Sequence, residues 1–564
     1  MSKRMSTGLS ILLALAMVAS MLSIVGCTAE EEPTDNGGTT EEPAAVGWSG
    51  LGQIARLGWL ADYPIMDNFL FPLFYSGNGD NKAFYSNPEV DAALLDARGT
   101  LDQDARVEKY REIERMIGED MPLIAVVNYR HLRVGSDRVR DFVFNSVGLG
   151  GFDRAWIAED ADATTPVAGG RMSFYIADPA FIDPYNGQES EGMQVINMLY
   201  DGLVDVDLKT LEIVPAAAES WDVNEDATVY TFKLREGAKF HDGTDVKASD
   251  FKYAWTRVLT AEDRVIDYHL YPIMGAQALA EGTATDLEGV KVIDDYTLEV
   301  TLEYPFADFL YVLGHPSLGP VPQATVEADP KAFLDKPIGN GPFMMAEPWA
   351  HEQYIKVDRF EDFYGNKPYL DGVDYLIFKD EETAFAEFEA GNLDFTSIPA
   401  GRINDVKAKY GESEDGYTLT PGKQALFGSE LSTYYLWFNT TDEFMSNVDL
   451  RKAISLAVNR QAIADTVYEG TRIPATGPVP EGILGFQADA WEFNRYDLEL
   501  AKEYLDKAGF PEGEGLPEIK LSFNSGAGHE DVMAIVQSDL AKIGVTATFD
   551  PHEWAEYSGT FLNN

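Results

Sequence analysis

The chain predicts a mixed α/β fold, on three observations. Apolar residues alternate with period two at residues 230–234 and 296–302, as half-buried strands require. Leu450, Ala453, Ile454, Ala457 and Val458 recur at helical spacing. Segments of the two kinds alternate along the chain, with hairpins between them. In order, residues 53–60 read as a strand running into an aromatic turn region at 63–75. Two helices follow at 88–98 and 102–117, the second carrying Val107, Tyr110, Ile113 and Ile117 on one stripe. A strand at 122–129 leads to short β segments as far as Ile157. Residues 158–170 (AEDADATTPVAGG) are small, acidic and glycine-ended, and read as a surface linker. A new globular stretch opens at Arg171 with a strand at 172–177. Residues 249–259 form a helix with Ser249 as its N-cap, and a helix at 530–543 leads to a strand at 545–549.

With 564 residues, 45% of them hydrophobic, the chain can bury a large core in roughly three to four domains. Lys and Arg total 43 against 94 Asp and Glu, a net charge of −51. Such a surface repels phosphate backbones, so no nucleic-acid partner is expected. A single cysteine leaves no disulfide framework and no cysteine-based metal site. That cysteine, Cys27, follows Lys3, Arg4 and an apolar run over 9–25, and Ile24-Val25-Gly26-Cys27 resembles a bacterial lipobox. Residues 1–26 are therefore expected to be a lipoprotein signal peptide and Cys27 the lipidated residue, anchoring the protein outside the cytoplasm. Residues 27–46, rich in Glu, Thr, Gly and Pro, are expected to be a disordered tether.

Residues 230–257, YTFKLREGAKFHDGTDVKASDFKYAWTR, closely resemble the most recognisable segment of the family 5 solute-binding proteins of ABC importers. Asp183-Pro184, LYDGL at 199–203, PIGNGPF at 337–343, LWFN at 436–439, DLRKAISLAVNR at 449–460, residues 544–554 and GWLADY at 58–63 resemble further family segments. The order differs from the family's. The portion at 47–157, which resembles the family's C-terminal part, precedes the family-like beginning at Arg171. Residues 553–564 read on into 47–64 as one family-like passage, so the sequence is expected to be circularly permuted, with 158–170 bridging the old ends. The resemblance implies a large, three-subdomain, class II periplasmic-binding-protein-like fold of two lobes with mixed sheets and a hinge. Residues 47–126 and 434–564 would form the second lobe. Residues 127–157 return to the first lobe, which spans 171–433 and includes an inserted subdomain at about 204–325. Hinge crossings are expected near Val126 and Leu431 to Leu436.

The same resemblance implies a ligand site. Asp62 matches the aspartate that pairs with a peptide's α-amino group, and Trp59 and Trp554 match aromatics bordering the ligand. Arg56 matches a basic residue at the far end, Tyr253 an aromatic near the amino end, and His529 a position reaching ligand ends through solvent. Glu189 and Ser190 fall near a loop that flanks the ligand. A further basic residue of some oligopeptide binders is missing, with Phe561 nearest to it. The implied function is capture of short peptides in a closing cleft and delivery to an ABC permease, by a monomer without cofactor. Alternatives in the same fold are a nickel chelate, an oligosaccharide, or a sensor's ligand. A hydrolase is disfavoured: the seven histidines show no metal-ligand spacing, and there is neither a G-x-S-x-G elbow nor a Walker A loop. Gly339 to Pro342 (GNGP) lacks the Lys-Ser/Thr of a phosphate cradle, and the His241-Asp242 pair reads as a turn.

Overall fold

In the computed structural model the described residues are 52–552 and Tyr557, apart from Ala161, Gln188, Leu208, Lys209, Ala400, Gly526 and Ala527. Cys27, the segments at 1–46 and Trp554 therefore lie outside the described residues.

Local chemistry places the early helices where the sequence signals them. Helix Pro88–Arg98 starts with the Asn87 side chain accepting the Glu89 N–H and proline at the first helical position. Asp102 caps helix Gln103–Asp120 by accepting the Ala105 N–H (2.9 Å), and the helix runs three residues beyond the expected end. Two expectations need correction. Residues 63–75 are not all turn, because Asp67–Phe74 is helical despite Pro72 within it. Ser249 is not a cap, because helix Ala248–Thr260 starts one residue earlier, with the Asp250 carboxylate accepting the Lys247 N–H (2.8 Å). Late in the chain, helix His529–Ala541 precedes strand Ala547–His552.

Two large sheets organise the fold. A six-stranded sheet runs, in spatial order, Ile473–Pro474, Leu123–Asn128, Ser432–Phe438, Ile54–Leu60, Ile519–Asn524 and Ala547–His552. A seven-stranded sheet runs Phe343–Met345, Tyr354–Arg359, Gly372–Ile377, Arg171–Ile176, Phe395–Ser397, Arg133–Gly135 and Ala425–Leu426. A smaller four-stranded sheet comprises Ala218–Val223, Val229–Leu234, Thr297–Thr301 and Val290–Asp294. Each large sheet has its own core, one around Trp437, Phe438 and Ile454, the other around Phe174, Tyr375 and Phe395. Phe142 and Phe152 pack on Phe174 and Phe395 at centroid distances of 4.9–6.1 Å, docking the segment before the linker beneath the seven-stranded sheet.

The chain crosses between the large sheets twice, at 129–132, just after Val126, and at 427–431, which ends at Leu431 where the expected 431–436 begins. The two crossings pair antiparallel: His131 N–H donates to the Gly428 carbonyl (2.8 Å), and Glu430 N–H to the Tyr129 carbonyl (3.0 Å). Two adjacent short crossings permit rotation of one sheet against the other about a common line.

The motifs at 230–257 and 337–343 serve the fold. His241 Nδ1 accepts the Gly339 N–H (3.1 Å), Gly341 N–H donates to the Leu199 carbonyl (2.8 Å), and a Cβ on Gly339 would fall 2.0 Å from that carbonyl oxygen. The glycines thus let the turn seat on the end of helix Ser190–Leu199, and Asp242 caps its own turn through Thr244.

Glu114, on helix Gln103–Asp120, is wholly buried, with one carboxylate oxygen lacking a partner and the other accepting from Gln487 (3.2 Å). Burial pushes its pKa up to about 8. A raised carboxyl pKa gives stability that is complete below the ordinary value and lost as pH rises through the folded one. Glu114→Gln should therefore melt like the parent near pH 4.5 and increasingly above it towards pH 8, by about 4–5 kcal/mol. Thermal melts across that range check this; a constant offset would contradict it.

Candidate ligand-binding cleft

Strand Ile54–Leu60 alternates its side chains, so Arg56 and Gly58 face one side and Leu57 and Trp59 the other. Its antiparallel partner sets Gly58 opposite Tyr434 and Arg56 opposite Leu436. Beyond the strand, helix Asp67–Phe74 brings Asn68 back under the turn. The Asn68 side-chain oxygen accepts both the Trp59 Nε1–H (3.2 Å) and the Asp62 N–H (3.0 Å), while its amide donates to Asp62 Oδ2 (2.9 Å). From the stretch bearing the four-stranded sheet, the Tyr268 hydroxyl donates to Asp62 Oδ1 (3.2 Å). Burial pushes the Asp62 carboxyl above its ordinary range, against the opposing hydrogen bonds of Asn68 and Tyr268. His269 and His315 lie with ring centroids 4.7 Å apart, and burial lowers both to about 3, leaving them neutral. Asp62 is thus a held carboxylate whose charge is incompletely answered by the protein, a setting that favours an incoming ammonium group.

Towards the start of the strand, Arg56 Nη1 donates to Asn524 Oδ1 (2.9 Å), and the guanidinium lies 5.0 Å from the Tyr434 ring centroid. His529, first residue of helix His529–Ala541, sits with Nδ1 3.5 Å from the Tyr434 hydroxyl. Burial, aided by Arg56, lowers it to about 4. Of the residues expected from the sequence, the fold brings Asp62 and Trp59 to a shared partner, Asn68, and Arg56 and His529 to a shared neighbour, Tyr434. Sequence reasoning misses Asn68, Tyr268 and Tyr434. Asn68 carries one signal, an acidic-amide pair heading an aromatic run; Tyr268 carries none.

The other expected residues make contacts of their own. The Glu189 carboxylate caps helix Ser190–Leu199, accepting the N–H groups of Gly192 (2.9 Å) and Ala180 (3.1 Å), and Ser190 opens that helix. Tyr253 is half-buried on helix Ala248–Thr260, near the Arg257–Asp183 ion pair (2.6 Å). Among the described residues no hydrogen bond or ion pair joins Glu189, Ser190 or Tyr253 to Asp62 or Arg56. A separate groove of about 1000 Å³ beside the four-stranded sheet, lined by Glu219, Lys233, Arg235 and Tyr296, contains none of the expected residues. Among the described residues there is no cluster of three or more His, Cys, Asp or Glu able to hold a metal ion. No described helix is long and apolar enough to cross a membrane.

Two sheet-centred halves, joined by paired crossings and meeting over a held carboxylate, define a hinged α/β binding protein. The family model for bacterial extracellular solute-binding proteins, family 5 (middle) matches residues 212–563. The oligopeptide-binding protein OppA of Bacillus subtilis (strain 168) is 29% identical over 392 residues, 67% of this chain and 70% of that protein. The dipeptide-binding protein DppE of the same organism is 30% identical over 392 residues, 67% and 69% of the two chains. Among solved structures, the Escherichia coli murein tripeptide binding protein MppA superposes with a TM-score of 0.53 at 26% identity, over 70% of this chain and 77% of that one. The chain belongs to the family 5 extracellular solute-binding proteins. It is a non-enzymatic transport component, the extracytoplasmic binding protein of an ABC importer.

Proposed function

We propose that the protein captures short peptides with a free α-amino group between its two sheet-centred halves and delivers them to an ABC permease. The carrying observation is Asp62. Its carboxylate is fixed by Asn68, partly withdrawn from water and met by the exposed Tyr268, so a peptide ammonium entering there replaces a neutral hydroxyl with a charge partner. The relatives named for oligopeptides, dipeptides and a murein tripeptide support a peptide ligand. In this reading the halves are two lobes closing about the crossings at 129–132 and 427–431. The protein works as a monomer, held at the membrane by a lipid on Cys27.

The reading includes a circularly permuted chain order. Several contacts support it. Strand Ile54–Leu60 runs parallel to Ile519–Asn524, itself parallel to Ala547–His552. The Tyr557 hydroxyl donates to the Arg56 carbonyl (2.5 Å), so the stretch after the last strand reaches the first. At the other joint, a Cβ on Gly170 would lie 3.1 Å from the Ile157 side chain, so the two sides of the linker adjoin. The collinear matches cover 67% and 70% of the chain, close to the share that follows residue 170.

Titration with di- to pentapeptides, free or N-acetylated, followed by tryptophan fluorescence or thermal shift, tests the reading. Free peptides should bind and raise the melting temperature, and acetylated ones should bind at least about tenfold more weakly. Equal binding of both forms would remove Asp62 from the role given to it.

A further inference from the structure

A second cationic group lies near the Arg56 end of the seam, and nothing above accounts for it. Arg472 immediately precedes strand Ile473–Pro474, which pairs with Asn128 and Val127 at the edge of the six-stranded sheet. Its guanidinium lies 4.4 Å from the Tyr129 ring centroid and 5.6 Å from that of Tyr468, and Nη1 donates to the Arg130 carbonyl (3.2 Å). Tyr129 links the two cations. Its ring carries Arg472, while its hydroxyl and Arg56 Nη2 both border Gly58, at 3.4 and 3.9 Å from where a Cβ would stand. A side chain at Gly58 would crowd this space.

Both guanidiniums are left wanting an acceptor. Arg56 Nε and Arg472 Nε are buried without a hydrogen-bond partner. Among the described residues neither arginine has a carboxylate within ion-pair distance, although this protein carries 94 acidic residues. Glu430, whose field reaches Arg472, is committed to His131 (3.1 Å). By contrast Arg98, Arg106 and Arg257 each hold an aspartate at 2.6–2.7 Å. An arginine fork matches a carboxylate in plane and spacing, and its unmet N–H groups are costly until one arrives.

We propose that Arg56 and Arg472 together form a two-guanidinium receptor, so that the preferred ligands are peptides presenting two carboxylates there, those ending in aspartate or glutamate. This rests on the peptide reading above and narrows it. One arginine meets the terminal carboxylate and the other the acidic side chain, with Tyr129 and Tyr434 packing the intervening methylenes.

Isothermal titration with tri- and tetrapeptides identical except for a C-terminal Glu, Gln or Ala tests it at physiological salt. The wild-type protein should bind the Glu-ended peptides about tenfold or more tightly than the Gln-ended ones. Arg472→Met, which keeps the aliphatic reach, should erase that preference, so that Glu-ended and Gln-ended peptides bind the variant alike. The wild-type comparison decides the matter even if the variant folds poorly. Equal affinity for Glu and Gln, or a preference that survives Arg472→Met, overturns the receptor while leaving peptide capture intact. Binding of none of the peptides overturns both.

Discussion

Asp62→Asn is expected to erase the distinction between free and N-acetylated peptides, weakening binding of the free forms by about 100-fold. That is the effect of removing about 3 kcal/mol, the order of cost when one partner of a buried charge pair is lost. Asparagine preserves the shape and can still accept from Asn68 or Tyr268, so the seam keeps its geometry. The ligand-free variant should melt higher than the parent, because burial raises the Asp62 pKa and keeping it ionised therefore costs stability. A peptide ammonium lowers that pKa again. Binding then releases a proton, and affinity falls as pH drops through the raised free-state value. Titrations from pH 4 to 8 should show that slope in the parent and lose it in the variant. An unchanged slope would assign the pH dependence to another group.

Arg98→Ala should be the most destabilising single change in the helical region. Asp67 is fully buried and receives two bonds from Arg98 (2.8 and 2.7 Å) and one from the Tyr110 hydroxyl (2.8 Å). Arg98 also lies 3.2 Å from the Phe71 ring centroid and 4.2 Å from that of Phe306, and its carbonyl accepts the Ala307 N–H (2.6 Å). Truncation strands a charge and uncovers two aromatic faces, at a cost of about 3–5 kcal/mol. The double variant Arg98→Ala/Asp67→Asn should recover part of the loss, since the stranded charge is gone. Denaturant melts of the four proteins in the cycle measure this. Strict additivity would mean that the pair contributes no coupling.

Much of the fold is legible because local rules act alone there. Asn87 and Asp102 announce their helices, and the stripe from Leu450 to Ala457 lies in helix Val448–Ala457. Helix Asp67–Phe74 is hidden because its aromatic, proline-containing run has no polar face to set a period, being buried over most of its length. Ser249 misleads because Asp250, one residue later, closes the turn from within the helix. At the site, Asp62 and Arg56 are recognisable from motif context, whereas the groups answering them are not. Tyr268 reaches Asp62 from 206 positions away, and Arg472 meets Arg56 only through Tyr129, in the crossing between the sheets. Strand parity says which side chains share a face, never what the fold sets across from them.

The interior place of strand Ile54–Leu60 governs how the protein can be made. Translation delivers this strand early, yet its neighbours Ser432–Phe438 and Ile519–Asn524 come much later; Gly52 and its partner Ser522 are 470 positions apart. Throughout that interval the strand has two open edges and a half-apolar surface, the condition in which chains associate wrongly or are held by chaperones. Pairings so distant in sequence also form slowly. The nascent chain cannot close both edges of this strand until Asn524 exists, although every strand of the seven-stranded sheet has been made by Leu426.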